Sequence, residues 1–398
     1  MTIRKISDLT KQDLIGKYVL LRDDFNVQIV GGKITDSFRI DKSLPTINYL
    51  KENGARVVIC AHLGRPKGEY NKDLSLQIVA DYMKIPFVHD CLEKDFLHEM
   101  KNGDVVLMEN LRFYNGEEKN EDDFAKKLSD GFDLYVNDGF AVSHRNAASV
   151  SGVTKYLPSF AGLLLAQEIE NLTNIMQNTN RPLLVFVGGG KVSTKLKLLK
   201  RLIHIADKLV IGGAMGTTFN YARGYSVGNS LYEPDMKQDA LDIIKSAQEN
   251  NCELYFPLDK GVGETFSNDA TRINKPIDEI ADDDVIMDDG EKTMSRNADL
   301  LKDAKTVIWN GPFGVTEWGE KWGKSSFEFA KALAQYTREH KLESVVGGGD
   351  SVSVLNACGV MQDISYASTG GGAFLEFIQG DILPGIDALM KNNIKSDL

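Results

Sequence analysis

Nine short, apolar, β-rich runs recur along this chain, and between successive runs the apolar residues shift to helical spacing. That alternation is the pattern of doubly wound parallel sheets, and no repeat of solenoid period and no low-complexity tract accompanies it. The expected strands are residues 18–21, 56–61, 105–108 and 134–136 in the first half, and 183–187, 208–211, 253–256, 306–309 and 344–346 in the second. A chain of 398 residues exceeds one ordinary core, so two domains are expected. Between the halves, residues 159–178 read as an amphipathic helix ended by Arg181-Pro182. The predicted architecture is two doubly wound, Rossmann-like, three-layer α/β domains with parallel sheets, joined by that long helix, with boundaries at 1–167 and 168–382.

Composition narrows the function classes. Apolar content of 42% and charged content of 26% belong to a soluble globular protein, and no stretch is long and apolar enough to span a bilayer. The first residues hold no apolar signal-like region, so a cytoplasmic protein is expected. Cys60, Cys91, Cys252 and Cys358 are scattered, without a CxxC pair or a neighbouring His cluster, and read as buried free thiols. A net charge of −11 disfavours nucleic acid and anionic membranes as partners, so an anionic substrate must be drawn by a local basic patch.

Residues 183–200, LLVFVGGGKVSTKLKLLK, read as a buried strand, a glycine turn and a helix beginning near Ser193. Such a turn presents backbone N–H groups and the positive end of a helix to an anion. Lys191 and Lys195, four apart in the expected first turn, break the rule that cations avoid that end, which suggests that a phosphate compensates them. A solvated basic helix start is the plain alternative.

The residues just past each strand divide the chain in two, because open α/β sheets bind ligands beyond the carboxyl ends of their strands. In the first half those ends carry cations: Arg22, His62, Arg65, Arg112, and His144 with Arg145, joined by Arg39 from a loop. One such arginine is commonly a surface ion-pair partner; several along one rim describe a basic pocket for a small, multiply charged acid. In the second half the ends carry glycines: Gly188–Gly190, Gly212 and Gly213, Gly311 and Gly314, Gly347–Gly349 before Asp350, and Gly370–Gly372 after Ser368 and Thr369. One cluster alone is commonly a tight turn; five suggest a nucleotide, with amides for phosphates and Asp350 for a magnesium ion. GGGKVST lacks Walker A spacing, and no GxGxxG fingerprint comes after the first strand. A basic cup and a nucleotide rim together describe phosphoryl transfer.

The blocks RDDFNV, HLGRP, ENLRF, HRNAAS, GGGKVSTK, IWNGPFGV, GGGDSV and STGGGAFLE, the last with LPGI after it, resemble the phosphoglycerate kinase family over nearly the whole chain and in the same order. The resemblance implies reversible transfer between ATP and the carboxylate of 3-phosphoglycerate, giving ADP and 1,3-bisphosphoglycerate with Mg2+, by a hinge-closing two-domain monomer whose tail, here 383–398, returns to the first domain. It implies that Asp24 and Asn26 hold the hydroxyl region of the substrate, that Arg22, Arg39, His62, Arg65, Arg112 and Arg145 form its basic cup, and that Arg39 lies nearest the reacting carboxylate. Lys195 would follow the transferring phosphoryl group and Lys191 the nucleotide phosphates, with Asp350 on the metal and Ser351 on a phosphate. Gly188, Gly212, Gly213, Asn310, Pro312, Gly314, Val315 and Glu317 match positions around the adenosine, with Gly347, Gly348 and Gly349 in the same nucleotide site. Thr369–Gly372, with Gly371 and Gly372 counted as catalytic, match the turn that stabilises the moving group.

The chain departs from the family pattern at several places. Gln28 stands where proline is usual, Gly190 where alanine is, and GFAVSHR in place of AFGTAHR; GGAMGTTF, with Ala214, replaces GGGMAFTF. Asp289 and Glu291 occupy the positions of an isoleucine and a proline. Two rival classes are a non-catalytic two-lobed anion-binding protein, which gives no reason for Lys191 and Lys195, and a nicotinamide-dependent dehydrogenase, which the absent fingerprint disfavours.

Overall fold

A computed structural model describes residues 3–340 and 342–392. They fall into two compact units: one holds the residues up to Asn171 and those from Ile382 on, the other Leu172–Asp381. The division falls inside the helix Leu163–Gln177. None of the described helices is long and apolar enough to cross a membrane.

The first unit is built on six parallel strands: β1 (Tyr18–Arg22), β2 (Arg56–Cys60), β3 (Phe87–Val88), β4 (Val105–Met108), β5 (Leu134–Asn137) and β6 (Ser159–Ala161), in the order β3-β4-β2-β1-β5-β6. Val19, Leu20, Leu21, Val57, Val58 and Ile59 are all fully buried. A sheet covered on both faces explains why these runs are continuously apolar rather than alternating. Ile40, Ile47 and Leu50, spaced for one face of the helix Phe38–Glu52, close the core over Val19, Leu21, Val57 and Ile59.

The second unit repeats the plan with β7 (Leu183–Val187), β8 (Lys208–Ile211), β9 (Glu253–Tyr255), β10 (Thr306–Asn310), β11 (Glu343–Gly347) and β12 (Tyr366–Ala367), in the order β9-β8-β7-β10-β11-β12 and again all parallel. Phe186 on β7 anchors its core, with the Phe329 ring 4.3 Å away and Phe313 at 6.2 Å. A separate antiparallel sheet places Asp259–Gly263 between Ile273–Pro276 and Val285–Asp289.

In each parallel sheet the strand order reverses at one point, between β1 and β5 and between β7 and β10, and such switch points open a crevice beyond the strand ends. Arg22, Asp23 and Asp24 leave β1 beside Asp138 after β5. Gly188–Lys191 leave β7 beside Gly311–Gly314 after β10.

Two sequence expectations need correction. Residues 159–178 are not one helix: Ser159–Ala161 pair with β5 as an edge strand, and the helix begins at Leu163 after Gly162. Nor does a helix begin near Ser193. It runs Leu196–Leu202, because the Ser193 amide and hydroxyl bind the Glu233 carboxylate at 3.0 and 2.6 Å and Lys195 N–H donates to Val192 O, a turn rather than a helical ladder. Lys191 therefore precedes the helix altogether, and Lys195 is its capping residue.

The helix Pro384–Lys391 belongs to the first unit. Gly385 N–H donates to Ser143 O at 2.8 Å, and the amide of Asn392 donates to Thr154 O and Leu157 O. The part of the expected tail at 393–398 lies outside the described residues.

Candidate active site

At the first switch point Arg22 is almost fully buried, only 2% exposed, and is held on three sides. Its Nε donates to Ser149 Oγ at 2.7 Å, one Nη donates to Asp23 O, and the other lies 3.4 Å from His62 Nδ1. Ser149 is fixed in turn by Glu117, which accepts from its N–H at 2.9 Å and its hydroxyl at 2.6 Å. A buried guanidinium is thus aimed by a carboxylate that it does not touch, through a serine. Burial, with Arg22, Arg112 and Arg39 nearby, drives His62 well below its ordinary value, against the pull of Asp24. His62 is therefore a neutral acceptor in this structure and not one of the cations that the strand-end pattern counted.

Asp24 organises the rest. It pairs with Arg39, lies 3.7 Å from His62 and accepts from Asn26 N–H, while Asn26 Oδ1 accepts from Gly64 N–H at 2.9 Å. Burial alone would raise the Asp24 carboxyl, but Arg39 above all, with the Asn26 amide and Arg22, holds it below the usual range. Arg112 is buried, donates to Gly64 O at 2.7 Å and meets Glu118 at 3.3 Å; burial lowers it to about 10. Arg65 is exposed and Arg145 half-buried, and among the described residues neither guanidinium has an ion-pair partner. The structure thus gathers Arg22, Asp24, Asn26, Arg39, His62 and Arg112 into one contact network, and leaves Arg65 and Arg145 uncommitted for an anion.

At the second switch point Lys195 Nζ turns back to oxygens at the ends of both central strands. It donates to Gly188 O and to Asn310 Oδ1, each at 2.7 Å. Burial lowers this amine to about 8, although Asp350 pulls it upward. The two lysines are thus not an unrelieved repulsive pair: carbonyls hold Lys195, and Lys191 is exposed. Asn310 Nδ2 donates to Gly347 O at 2.7 Å, so one side chain joins β10, β11 and the lysine.

The glycines sort into two kinds. A side chain on Gly188 would place its Cβ 2.2 Å from Pro312 O, one on Gly314 would meet Asp288 Oδ1 at 2.1 Å, and one on Gly347 the Phe374 ring at 2.4 Å; these glycines serve the packing of the turns on each other. A side chain on Gly190, Gly349 or Gly371 would set its Cβ in open space, with nothing within 4 Å, so these turns are open where the others are packed. Gly371 precedes the helix Gly372–Ile378, and Thr369 is buried. Asp350 is exposed in the first turn of the helix Gly349–Ala357 that Gly348 caps; Ser351 beside it is buried and accepts from Gly311 N–H at 2.7 Å. Pro312 O accepts from Gly189 N–H, Val315 N–H reaches Met287 O, and Glu317 lies just beyond, exposed. Among the described residues no three His, Cys, Asp or Glu side chains are grouped to hold a metal ion.

The comparisons with known proteins point one way. The family model for phosphoglycerate kinase matches residues 7–381. The chain belongs to the phosphoglycerate kinase family. It is 43% identical to the phosphoglycerate kinase of Orientia tsutsugamushi (strain Ikeda) over 399 residues, covering 98% of this chain and 97% of that one. It is likewise 43% identical over 389 residues to that of Chelativorans sp. (strain BNC1), covering 96% and 98%. Among solved structures, the phosphoglycerate kinase from Coxiella burnetii superposes with a TM-score of 0.84 at 38% identity, covering 98% of this chain and 99% of that one. The enzyme from Pyrococcus horikoshii OT3 gives 0.82 at 30%, covering 98% of each.

Against the phosphoglycerate kinase pattern, the structure accounts for two departures. Glu291 is an exposed residue whose carboxylate meets Lys324 at 2.6 Å, an ion pair worth less than ~1 kcal/mol. Asp289 is fully buried and meets the equally buried Lys260 at 2.6 Å. Gln28, also exposed, lends only its carbonyl, to Thr35. Residues given no role in the sequence reading, two of them inside the motif blocks, also shape the site. Ser149 and Glu117 hold Arg22, and Asp23 and Asp138 are buried carboxyls raised by desolvation, Asp23 also by Asp138. Nothing in the linear pattern marks Glu117, which sits 95 positions from the arginine it aims.

Proposed function

We propose that this chain moves the terminal phosphoryl group of MgATP onto the carboxylate of 3-phosphoglycerate, and back, forming ADP and 1,3-bisphosphoglycerate. The observation that carries the reading is the contrast between the two switch points. One is lined by guanidinium groups, with Arg65 and Arg145 uncommitted; the other holds a half-buried amine, Lys195, amid open glycine backbone. The first suits a small acid with a phosphate and a carboxylate, the second a polyphosphate chain.

The chemistry asks little of a general base. The acceptor carboxylate is ionised at neutral pH, and its oxygen attacks the terminal phosphorus while the bond to the ADP oxygen breaks and that oxygen keeps the electron pair. Transfer depends on alignment and on cations meeting the charge of the moving group. Arg39 takes that role for the acid and Lys195 for the nucleotide, with the open turn at Gly371 and Gly372 of the second unit offering amides. Arg22, Arg65, Arg112 and Arg145 hold the substrate anions, and Asp24, Asn26 and His62 set their geometry. Lys191, Gly188, Gly212, Gly213, Asn310, Pro312, Gly314, Val315, Glu317, Gly347–Gly349 and Ser351 form the nucleotide site. Asp350, an exposed carboxylate, would hold the magnesium ion that accompanies the nucleotide, and that ion would neutralise charge on the phosphates. The enzyme works as a cytoplasmic monomer in glycolysis and gluconeogenesis, without nucleic acid or membrane partners, a reading its charge of −11 supports.

The test couples the reaction to an NADH-dependent dehydrogenase that reduces the acyl phosphate. With 3-phosphoglycerate and MgATP present, NADH absorbance falls in proportion to enzyme; a folded protein that leaves it unchanged overturns the proposal.

A further inference from the structure

Lys260 and Asp289 are direct partners across the antiparallel strands Asp259–Gly263 and Val285–Asp289, and both side chains are 0% exposed. Lys260 Nζ donates to Asp289 Oδ1 at 2.6 Å, and its next bond is to Gly213 O at 3.0 Å. The other carboxylate oxygen, Asp289 Oδ2, accepts from Gly213 N–H at 3.3 Å. One ion pair therefore grips both polar groups of a single glycine, and that glycine has a positive φ of 65°. The grip is close: a side chain on Gly212 would set its Cβ 2.6 Å from Asp289 Oδ2, with the Phe313 ring equally near on another side.

Stability alone does not call for such a pair. Burying two charges costs about as much as their attraction returns, and apolar residues of similar volume commonly do as well or better. The family pattern has an isoleucine at the position of Asp289. What an apolar pair lacks is a donor and an acceptor for the Gly213 peptide groups.

We propose that Lys260 and Asp289 are positioning residues for the nucleotide: they fix the Gly212–Gly213 turn, the wall against which the base packs, without touching the ligand themselves. The inference rests on the assignment of the second switch point to the nucleotide. It makes the antiparallel sheet a support for the strand ends of β8 and gives the Asp289 departure a role that Glu291, exposed and paired with Lys324, does not share.

The test replaces both residues, Lys260→Met with Asp289→Ile, so that no charge is left buried alone. ADP and 3-phosphoglycerate are titrated separately by calorimetry, and amide exchange is followed in the peptide holding Gly213. The expected result is ADP affinity lower by about tenfold, what one or two net hydrogen bonds are worth, with faster exchange at Gly213. Affinity for 3-phosphoglycerate stays within about twofold, since that site shares no partner with the pair. Wild-type ADP affinity with unchanged exchange overturns the inference, as does an equal loss for both ligands, which would be general destabilisation. If the double variant does not fold, Asp289→Asn decides. It keeps an acceptor toward Gly213 but faces Lys260 with an uncharged group, so weaker ADP binding at unchanged 3-phosphoglycerate binding supports the role, and unchanged ADP binding overturns it. A wild-type protein that binds neither ligand overturns the functional reading and this one with it, whereas wild-type binding with an indifferent double variant removes this one alone.

Discussion

Nucleotide binding should draw a proton from solvent, and Lys195 sets how much. In the free protein, burial lowers this amine from 10.5 to about 8, and its hydrogen-bond partners are neutral oxygens of Gly188 and Asn310. The protonated form therefore dominates below pH 8 and is lost as pH rises through that value. At pH 8.5 about a quarter of the free molecules carry the charge. A polyphosphate beside the amine favours the charged form and returns its pKa toward the ordinary range, so nearly all bound molecules carry it. The difference is an uptake of about three quarters of a proton per ADP bound at pH 8.5, shrinking to about a tenth at pH 7. Calorimetric titration in buffers of different ionisation enthalpy reads that number from the slope of observed heat against buffer enthalpy. Lys195→Met should abolish the uptake and lower kcat more than it weakens ADP. Binding without proton uptake at pH 8.5, or the same uptake in Lys195→Met, would refute the role of Lys195 as the cation that meets the phosphate.

Arg39→Ala should cost about two to four decades in kcat, because it removes a cation aimed at developing charge; a loss confined to the KM for 3-phosphoglycerate would make Arg39 a binding group only. Ser149→Ala removes the hydroxyl that links Glu117 to Arg22 and should raise the KM for 3-phosphoglycerate about tenfold while leaving ADP affinity unchanged; an unaltered KM would show that Arg22 holds its aim without the serine. Phe186→Ala empties the aromatic cluster under β7 and should destabilise the protein by about 3–5 kcal/mol in urea unfolding; a change below about 1 kcal/mol would show that the cluster relaxes into the space.

How much of this was legible in the sequence depends on the physical origin of each signal. Strands covered on both faces need continuous apolar residues, so the central strands stand out as LLVFV and RVVIC. Edge strands of two or three residues carry little period: Glu253–Tyr255 shows in the sequence, but Phe87–Val88, Ser159–Ala161 and Tyr366–Ala367 escape notice, and SFA reads as the start of the helix beside it. The antiparallel sheet is hidden for a different reason. Its middle strand, DKGVG, contains two glycines and a lysine, and is held by a buried ion pair, Lys260 with Asp289, that only tertiary contact supplies. In the candidate site, residue type announced the arginines and glycines, because forked cations and bare backbone have few other uses in such numbers. Protonation and partners did not show: the neutrality of His62, the carbonyl grip on Lys195 and the relay from Glu117 depend on burial and on residues far along the chain.

The central claim is that the phosphoryl group goes to a carboxylate oxygen. Its most direct measurement is to run the reaction from MgATP and 3-phosphoglycerate with excess hydroxylamine, which converts each acyl phosphate to a hydroxamate and inorganic phosphate. One hydroxamate for each ADP formed is the predicted result. ADP without hydroxamate would place the phosphoryl group on a hydroxyl or on water and contradict the assignment.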